Sequence, residues 1–177
     1  MTIKALRARK VHIDGMSHPA FGAVEHTLRQ QLNDYPGGAA VCVYHRGQCV
    51  VDLWGGYADE DNKPWSRDTM APSFSTTKGI ASTLVHIYAD RGLIDYDAKV
   101  AKYWPEFANN GKASITVRQV LSHQSGLYHI RQMIDHIDRM MDWEHMVKVI
   151  EQTRPIHTPG ERTGYHGLTY GFLVGEI

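Results

Sequence analysis

A chain of 177 residues with 42% hydrophobic and 21% charged residues suits one globular domain that buries a fair core. Nineteen basic residues balance nineteen acidic ones, so there is no electrostatic footprint for nucleic acid. Lys4, Arg7, Arg9 and Lys10 form a small basic cluster, but no apolar h-region follows it and no segment is long enough to span a bilayer, so a soluble cytoplasmic protein with no membrane association is expected.

Val24, Leu28 and Leu32 recur at helical spacing, which predicts an amphipathic helix over residues 21–32, and Tyr35-Pro36-Gly37-Gly38 turns the chain out of it. Residues 39–44 and 48–54 read as the two strands of a hairpin around Arg46-Gly47. That turn sets Tyr44 opposite Cys49 and leaves Cys42 one diagonal away on the same face, too far for a disulfide. Both cysteines are read as reduced core residues, with nothing nearby to lower a thiol pKa. Both faces of the hairpin are largely apolar, with Val41, Val43 and Val50 against Cys42, Tyr44, Val51 and Leu53, so it is expected to lie between two layers. Residues 55–69 are polar and read as a surface loop.

Ser75-Thr76-Thr77-Lys78 is the most informative stretch, because a hydroxyl and an amine three residues apart share one helical face. Pro72-Ser73-Phe74 leads in, and Ile80, Leu84, Ile87 and Tyr88 then recur at helical spacing up to a stop at Gly92. Ser75 is therefore expected in the first turn of a buried helix, where unpaired N–H groups and the positive end of the dipole favour an oxyanion. A serine becomes a nucleophile only when a neighbour takes its proton, and Lys78 is placed to do so. The competing reading is a serine N-cap followed by a solvated lysine, since this spacing is common.

Thr116 and Gln119 stand at capping-box spacing, which starts a helix over residues 116–123, and Gln124-Ser125-Gly126 turns the chain with His123 in support. Residues 142–151 read as another helix and 155–160 as a breaker-rich loop. No repeat, low-complexity tract or linker is evident, so residues 1–177 are read as one continuous domain. The eleven histidines include no His-x-x-x-His pair, and neither metal nor cofactor is expected. Ser125 lacks the first glycine of a nucleophile elbow, and the four tryptophans are read as packing residues.

A second constellation follows. Thr158-Pro159-Gly160 enters a loop, and Gly164-Tyr165-His166-Gly167 precedes the apolar stretch 168–177, so a tyrosine stands just before a helix. A tyrosine beside a lysine shares a proton with it and serves as base or relay. Together the two stretches resemble the serine β-lactamase-like superfamily: class C β-lactamases, penicillin-binding D-alanyl peptidases and carboxylesterases of the same fold. Ser75 to Lys78 match its Ser-x-x-Lys box, Tyr165-His166-Gly167 its Tyr-x-Asn box, and residues 115–127, ITVRQVLSHQSGL, are similar to the segment between them. The resemblance implies an α/β fold of the α+β type, with an antiparallel sheet flanked by helices and a helical insert over the site. It further implies Ser75 as the acyl-forming nucleophile, Lys78 as its proton acceptor, Tyr165 as base or shuttle, and His166 and Gly167 as substrate-binding positions.

Two departures refine that expectation. Gly167 stands where β-lactamases usually carry asparagine, which favours a small-molecule ester over a β-lactam or other amide. The third box of the family, on a late strand, has no counterpart before Gly175-Glu176-Ile177, so the chain is expected to be the N-terminal part of a longer protein. The leading reading is a serine hydrolase acting as a carboxylesterase on short or medium acyl esters. A β-lactamase or D-amino-acid peptidase and a non-catalytic fragment are the alternatives.

Overall fold

A computed structural model describes residues 11–177, which leaves the basic cluster at Lys4, Arg7, Arg9 and Lys10 outside the described residues. The chain divides into two compact units, one ending at Pro72 and the other spanning Ser73–Ile177.

In the first unit, α1 (Gly22–Asp34) forms where the apolar spacing predicts it, with Leu28 and Leu32 buried. The hairpin consists of β2 (Gly38–His45) and β3 (Gln48–Gly56) around Arg46 and Gly47, whose φ angles of 51° and 79° are those of a tight primed turn. Tyr44 pairs with Cys49, as the turn requires. The sequence reading missed β1 (Ile13–Ser17), which pairs antiparallel with β3 and completes a sheet of order β1-β3-β2. Its sequence, IDGMS, is too short and polar to announce a strand, and it is recruited by the free edge of β3.

A register shift between Val43 and Tyr44 leaves Val50 unpaired, and Val50 and Val51 are buried in succession where a regular strand would alternate. Val51, Leu53, Val41 and Val43 pack with Leu28, Leu32 and Val24 of α1. Cys42 and Cys49 fall on the other side of the sheet, so the expectation that they are core residues is corrected: Cys42 is exposed and Cys49 only half-buried. Both are free thiols, but the bulge brings their sulfurs to 3.9 Å, closer than the diagonal of a regular hairpin suggests. Among the described residues of this unit, α1 covers one face of the hairpin.

The second unit opens with a 3₁₀ turn, Phe74–Thr76, that runs into α2 (Thr77–Asp90). It continues through α3 (Val117–Leu121), the short α4 (Ile130–Met133), α5 (Trp143–Gln152) and α6 (Tyr170–Gly175). The capping box expected at Thr116 is realised. Thr116 and Gln119 form a reciprocal capping box, and Asp142 caps α5 by accepting from the His145 N–H. The core gathers Phe107, Ile115, Val117, Val120, Leu127, Met146, Ile150 and Leu173, all fully buried, with Trp104 beside them. The helix that carries Ser75 is not buried as expected: within α2 only Val85 is enclosed, and Ile80 and Leu84 remain 66% and 56% exposed. Among the described residues no helix is long and apolar enough to cross a membrane.

Lys112 is fully buried, and its Nζ donates to the carbonyls of Asn109, Glu151 and Thr153 at 2.8, 2.7 and 2.7 Å. Burial pulls its pKa down to about 8, opposed by the Glu151 carboxylate. One side chain thus satisfies the carbonyls at the end of α5 and of the 105–112 segment, whose partners would otherwise have to be water. Lys112→Met keeps the stem and leaves three inward carbonyls unpaired, so it is expected to destabilise the protein by about 3 kcal/mol, read from the shift of the urea unfolding midpoint.

Candidate active site

The candidate hydroxyl, that of Ser75, stands at the entry of α2 and not inside it. Ser75 is the middle residue of the 3₁₀ turn, and Phe74 just before it has φ 44°, a left-handed conformation that a bulky residue adopts only at a cost. Lys78 lies one turn on, where the three-residue offset of the sequence points its amine back along the helix. Its Nζ donates to Ser75 Oγ at 3.1 Å and to the Gly167 carbonyl at 2.8 Å, a contact that joins residues 89 apart in the chain. The Tyr165 ring sits with its centroid 5.1 Å from the same Nζ. Its hydrogen bond with Ser75, and secondarily the hydrogen bond and charge of Lys78, hold the phenol pKa below the ordinary tyrosine range. Ser75, Lys78 and Tyr165, named from two separate motifs, therefore share one hydrogen-bonded cluster on an open surface.

Gly167 contributes through its main chain. The asparagine amide of the family pattern is missing, but the Gly167 carbonyl supplies an acceptor for Lys78.

His166 is not where a substrate could meet it. It is fully buried, which corrects its assignment as a substrate-binding residue. Its Nε2 lies 2.6 Å from Ser125 Oγ and accepts the Leu127 N–H at 3.3 Å. A backbone N–H can only donate, so Nε2 must be the unprotonated nitrogen and the imidazole proton sits on Nδ1. That Nδ1 faces His123 Nδ1 at 3.3 Å, and His123 Nδ1 also accepts the His166 backbone N–H at 3.1 Å. His123 therefore carries its proton on Nε2, and both rings are neutral with a defined tautomer. The pKa of His166 is pushed down to about 4 by burial, with the His123 charge next in importance. Burial, and then the charge of Lys78, also lowers that of His123.

Ser125, set aside as a nucleophile, serves as the buried partner of His166. The expectation that His123 supports the turn at Ser125-Gly126 gives way to a longer reach. Its carbonyl accepts the Gly164 N–H at 2.9 Å and its ring packs at a tilt against Tyr165, so it holds the loop of the second motif. Gly164 lies against the face of Tyr128, where a Cβ would run into the ring. The signal available beforehand was the helix exit: α3 ends at Leu121 instead of His123, and His123 takes φ 60° at the position where glycine is the usual choice.

The Beta-lactamase family matches residues 24–177, and the chain belongs to that family. It is 42% identical over 176 residues to the Esterase/beta-lactamase LipL of Mycobacterium tuberculosis, an alignment covering 92% of this chain and 38% of that protein. Among solved structures it is similar to a family VIII carboxylesterase, with TM-score 0.82, 41% identity, and coverage of 93% of this chain and 45% of that one. A penicillin-binding protein homologue from Caulobacter crescentus gives TM-score 0.83 and 38% identity over the same shares. The fold is thus β-lactamase/transpeptidase-like, and the chain spans less than half the length of these relatives.

The neutral imidazole has a thermodynamic signature. His166 binds a proton at about pH 6.5 when unfolded and at about pH 4 when folded, so the unfolded chain holds more protons between those values. The stabilisation is complete above pH 6.5 and is lost as pH falls towards 4, by an amount of order 3 kcal/mol. Urea midpoints measured at pH 7, 5.5 and 4.5 should fall steadily, and His166→Gln, which cannot titrate, should flatten that dependence by about one proton.

Proposed function

We propose that the site is that of a serine hydrolase that forms an acyl-enzyme on Ser75, and that its substrates are carboxylic esters with short or medium acyl groups. The observation that carries this reading is the convergence of Ser75, Lys78 and Tyr165, with Lys78 Nζ 3.1 Å from the nucleophilic oxygen and 2.8 Å from the Gly167 carbonyl.

In this reading Ser75 Oγ attacks the acyl carbon while its proton passes into the Lys78–Tyr165 pair. Phenol and amine lie close to each other and to Ser75, so the proton has a short path between them. The carbonyl oxygen becomes an oxyanion, and the Ser75 N–H at the start of the helical turn supplies one donor to it. Collapse of the tetrahedral species breaks the ester C–O bond, and the pair returns the proton to the departing alkoxide. Water then attacks the acyl-serine by the same route, losing its proton to the pair and restoring Ser75 as the acid leaves. The Gly167 carbonyl steadies Lys78 through both halves of the cycle.

The ester preference rests on Gly167. An ester has no N–H to be recognised, so a main-chain carbonyl engaged with Lys78 in place of a side-chain amide removes nothing that an ester needs. The carboxylesterase among the similar structures supports this choice, and LipL is named for both esterase and beta-lactamase activity.

Exposure of the protein to a fluorophosphonate should give a single adduct by intact mass, absent in Ser75→Ala. Lys78→Ala and Tyr165→Phe should each slow labelling and p-nitrophenyl butyrate turnover by about 100-fold or more. An adduct that survives in Ser75→Ala would sink the assignment, and nitrocefin turnover equal to ester turnover would transfer it to a β-lactamase.

A further inference from the structure

We infer that His123 is the residue that positions Tyr165, gripping the chain on both sides of it through a carbonyl acceptor and an imidazole acceptor. The inference rests on the assignment of Ser75, Lys78 and Tyr165 given above, and it adds a residue that none of their motifs contains.

Tyr165 is weakly anchored. It is 56% exposed, it lies between the pliant residues Gly164 and Gly167, its carbonyl accepts only locally, from the Gly167 N–H at 2.9 Å, and its phenol lies beside Ser75 and Lys78. A base on such a loop would sample many orientations unless the main chain at its two sides were fixed. His123 fixes both. Its carbonyl accepts from the Gly164 N–H at 2.9 Å, and its Nδ1 accepts from the His166 N–H at 3.1 Å. The N–H groups of the residues on either side of Tyr165 are thus tied to one residue of the α3 exit. The His123 ring centroid lies 4.9 Å from that of Tyr165 and 4.9 Å from that of Tyr170, both at a tilt, and this contact limits rotation of the phenol.

The backbone of His123 argues for a side-chain role. At the residue after a helix C-cap, φ near 60° is occupied at least cost by glycine and next by asparagine. The strain of a histidine there is offset by what its side chain holds. His166 surrounds that acceptor, with its Nδ1 at 3.3 Å and its backbone N–H at 3.1 Å from His123 Nδ1.

Two substitutions separate positioning from mere folding, since both residues tolerate the left-handed backbone. His123→Gly deletes the acceptor, whereas His123→Asn returns an amide oxygen to the place of Nδ1. Two readouts are taken on the whole chain: the pKa of Tyr165 by ¹³C-tyrosine NMR, with its resonance assigned from Tyr165→Phe, and the rate of fluorophosphonate labelling of Ser75. The Tyr165 titration should rise towards the ordinary value of about 10 in His123→Gly and recover in His123→Asn. Labelling should slow by about tenfold or more in His123→Gly, with most of the rate restored in His123→Asn. Equal behaviour of the two variants, whether both unimpaired or both impaired, overturns the inference. The titration decides the point even if the protein is not labelled. Labelling that persists in Ser75→Ala identifies instead a failure of the underlying catalytic assignment.

Discussion

Everything at the candidate site depends on one hydrogen bond whose direction cannot be reversed, from the Leu127 N–H to His166 Nε2. It fixes the tautomer of His166, sends the ring proton towards His123, and makes His123 an acceptor for the main chain of the tyrosine loop. Ser125 completes the knot from the other side of Nε2, so that the buried imidazole is satisfied at both nitrogens. Through this knot the exit of α3 and the 164–167 loop become one rigid piece. The two motifs that hold chemistry lie 90 residues apart in sequence, and this piece determines where the second meets the first.

The chemistry is placed in a correspondingly layered way. Buried, neutral and polar groups lie underneath, and an open surface above carries the hydroxyl, amine and phenol that would exchange protons with a substrate. Lys78 bridges the layers, because it takes the Gly167 carbonyl as one partner and Ser75 as the other. That carbonyl explains how the family pattern can dispense with its asparagine side chain: the acceptor that Lys78 requires comes from the main chain. Lys112 plays the comparable part in the core of the same unit, where one ammonium closes off the carbonyls that end α5. In both places a lysine links backbone oxygens from separate segments, and surroundings decide the outcome: buried, Lys112 is a staple, whereas half-exposed Lys78 remains available for reaction.

Local order was legible in the sequence wherever short-range physics governs. The α1 stripe, the Arg46-Gly47 turn and the capping box at Thr116 all depend on residues within a few positions of each other, and all three formed. The Ser-x-x-Lys offset was legible for the same reason, since three residues of helix bring Ser75 and Lys78 together whatever lies around them. Strand β1 was not legible, because its pairing is conferred by β3 some 40 residues later and not by its own polar composition. The cysteines were misjudged because an apolar face was equated with a buried one, when the bulge and α1 together select the other face of the hairpin.

The sequence by itself determined the chemical vocabulary of this protein: a hydroxyl and an amine at one helical step, a tyrosine before a second helix, and a glycine in place of an amide. These are properties of residue type and near-neighbour spacing, which backbone geometry converts directly into direction. Only the tertiary structure decided which groups face a substrate and which lie beneath it. It buried His166, gave Ser125 to that histidine, and aimed the Gly167 carbonyl at Lys78. The physical reason is that burial and long-range hydrogen bonding are set by how segments far apart in the chain close upon each other, and no local periodicity encodes that closure.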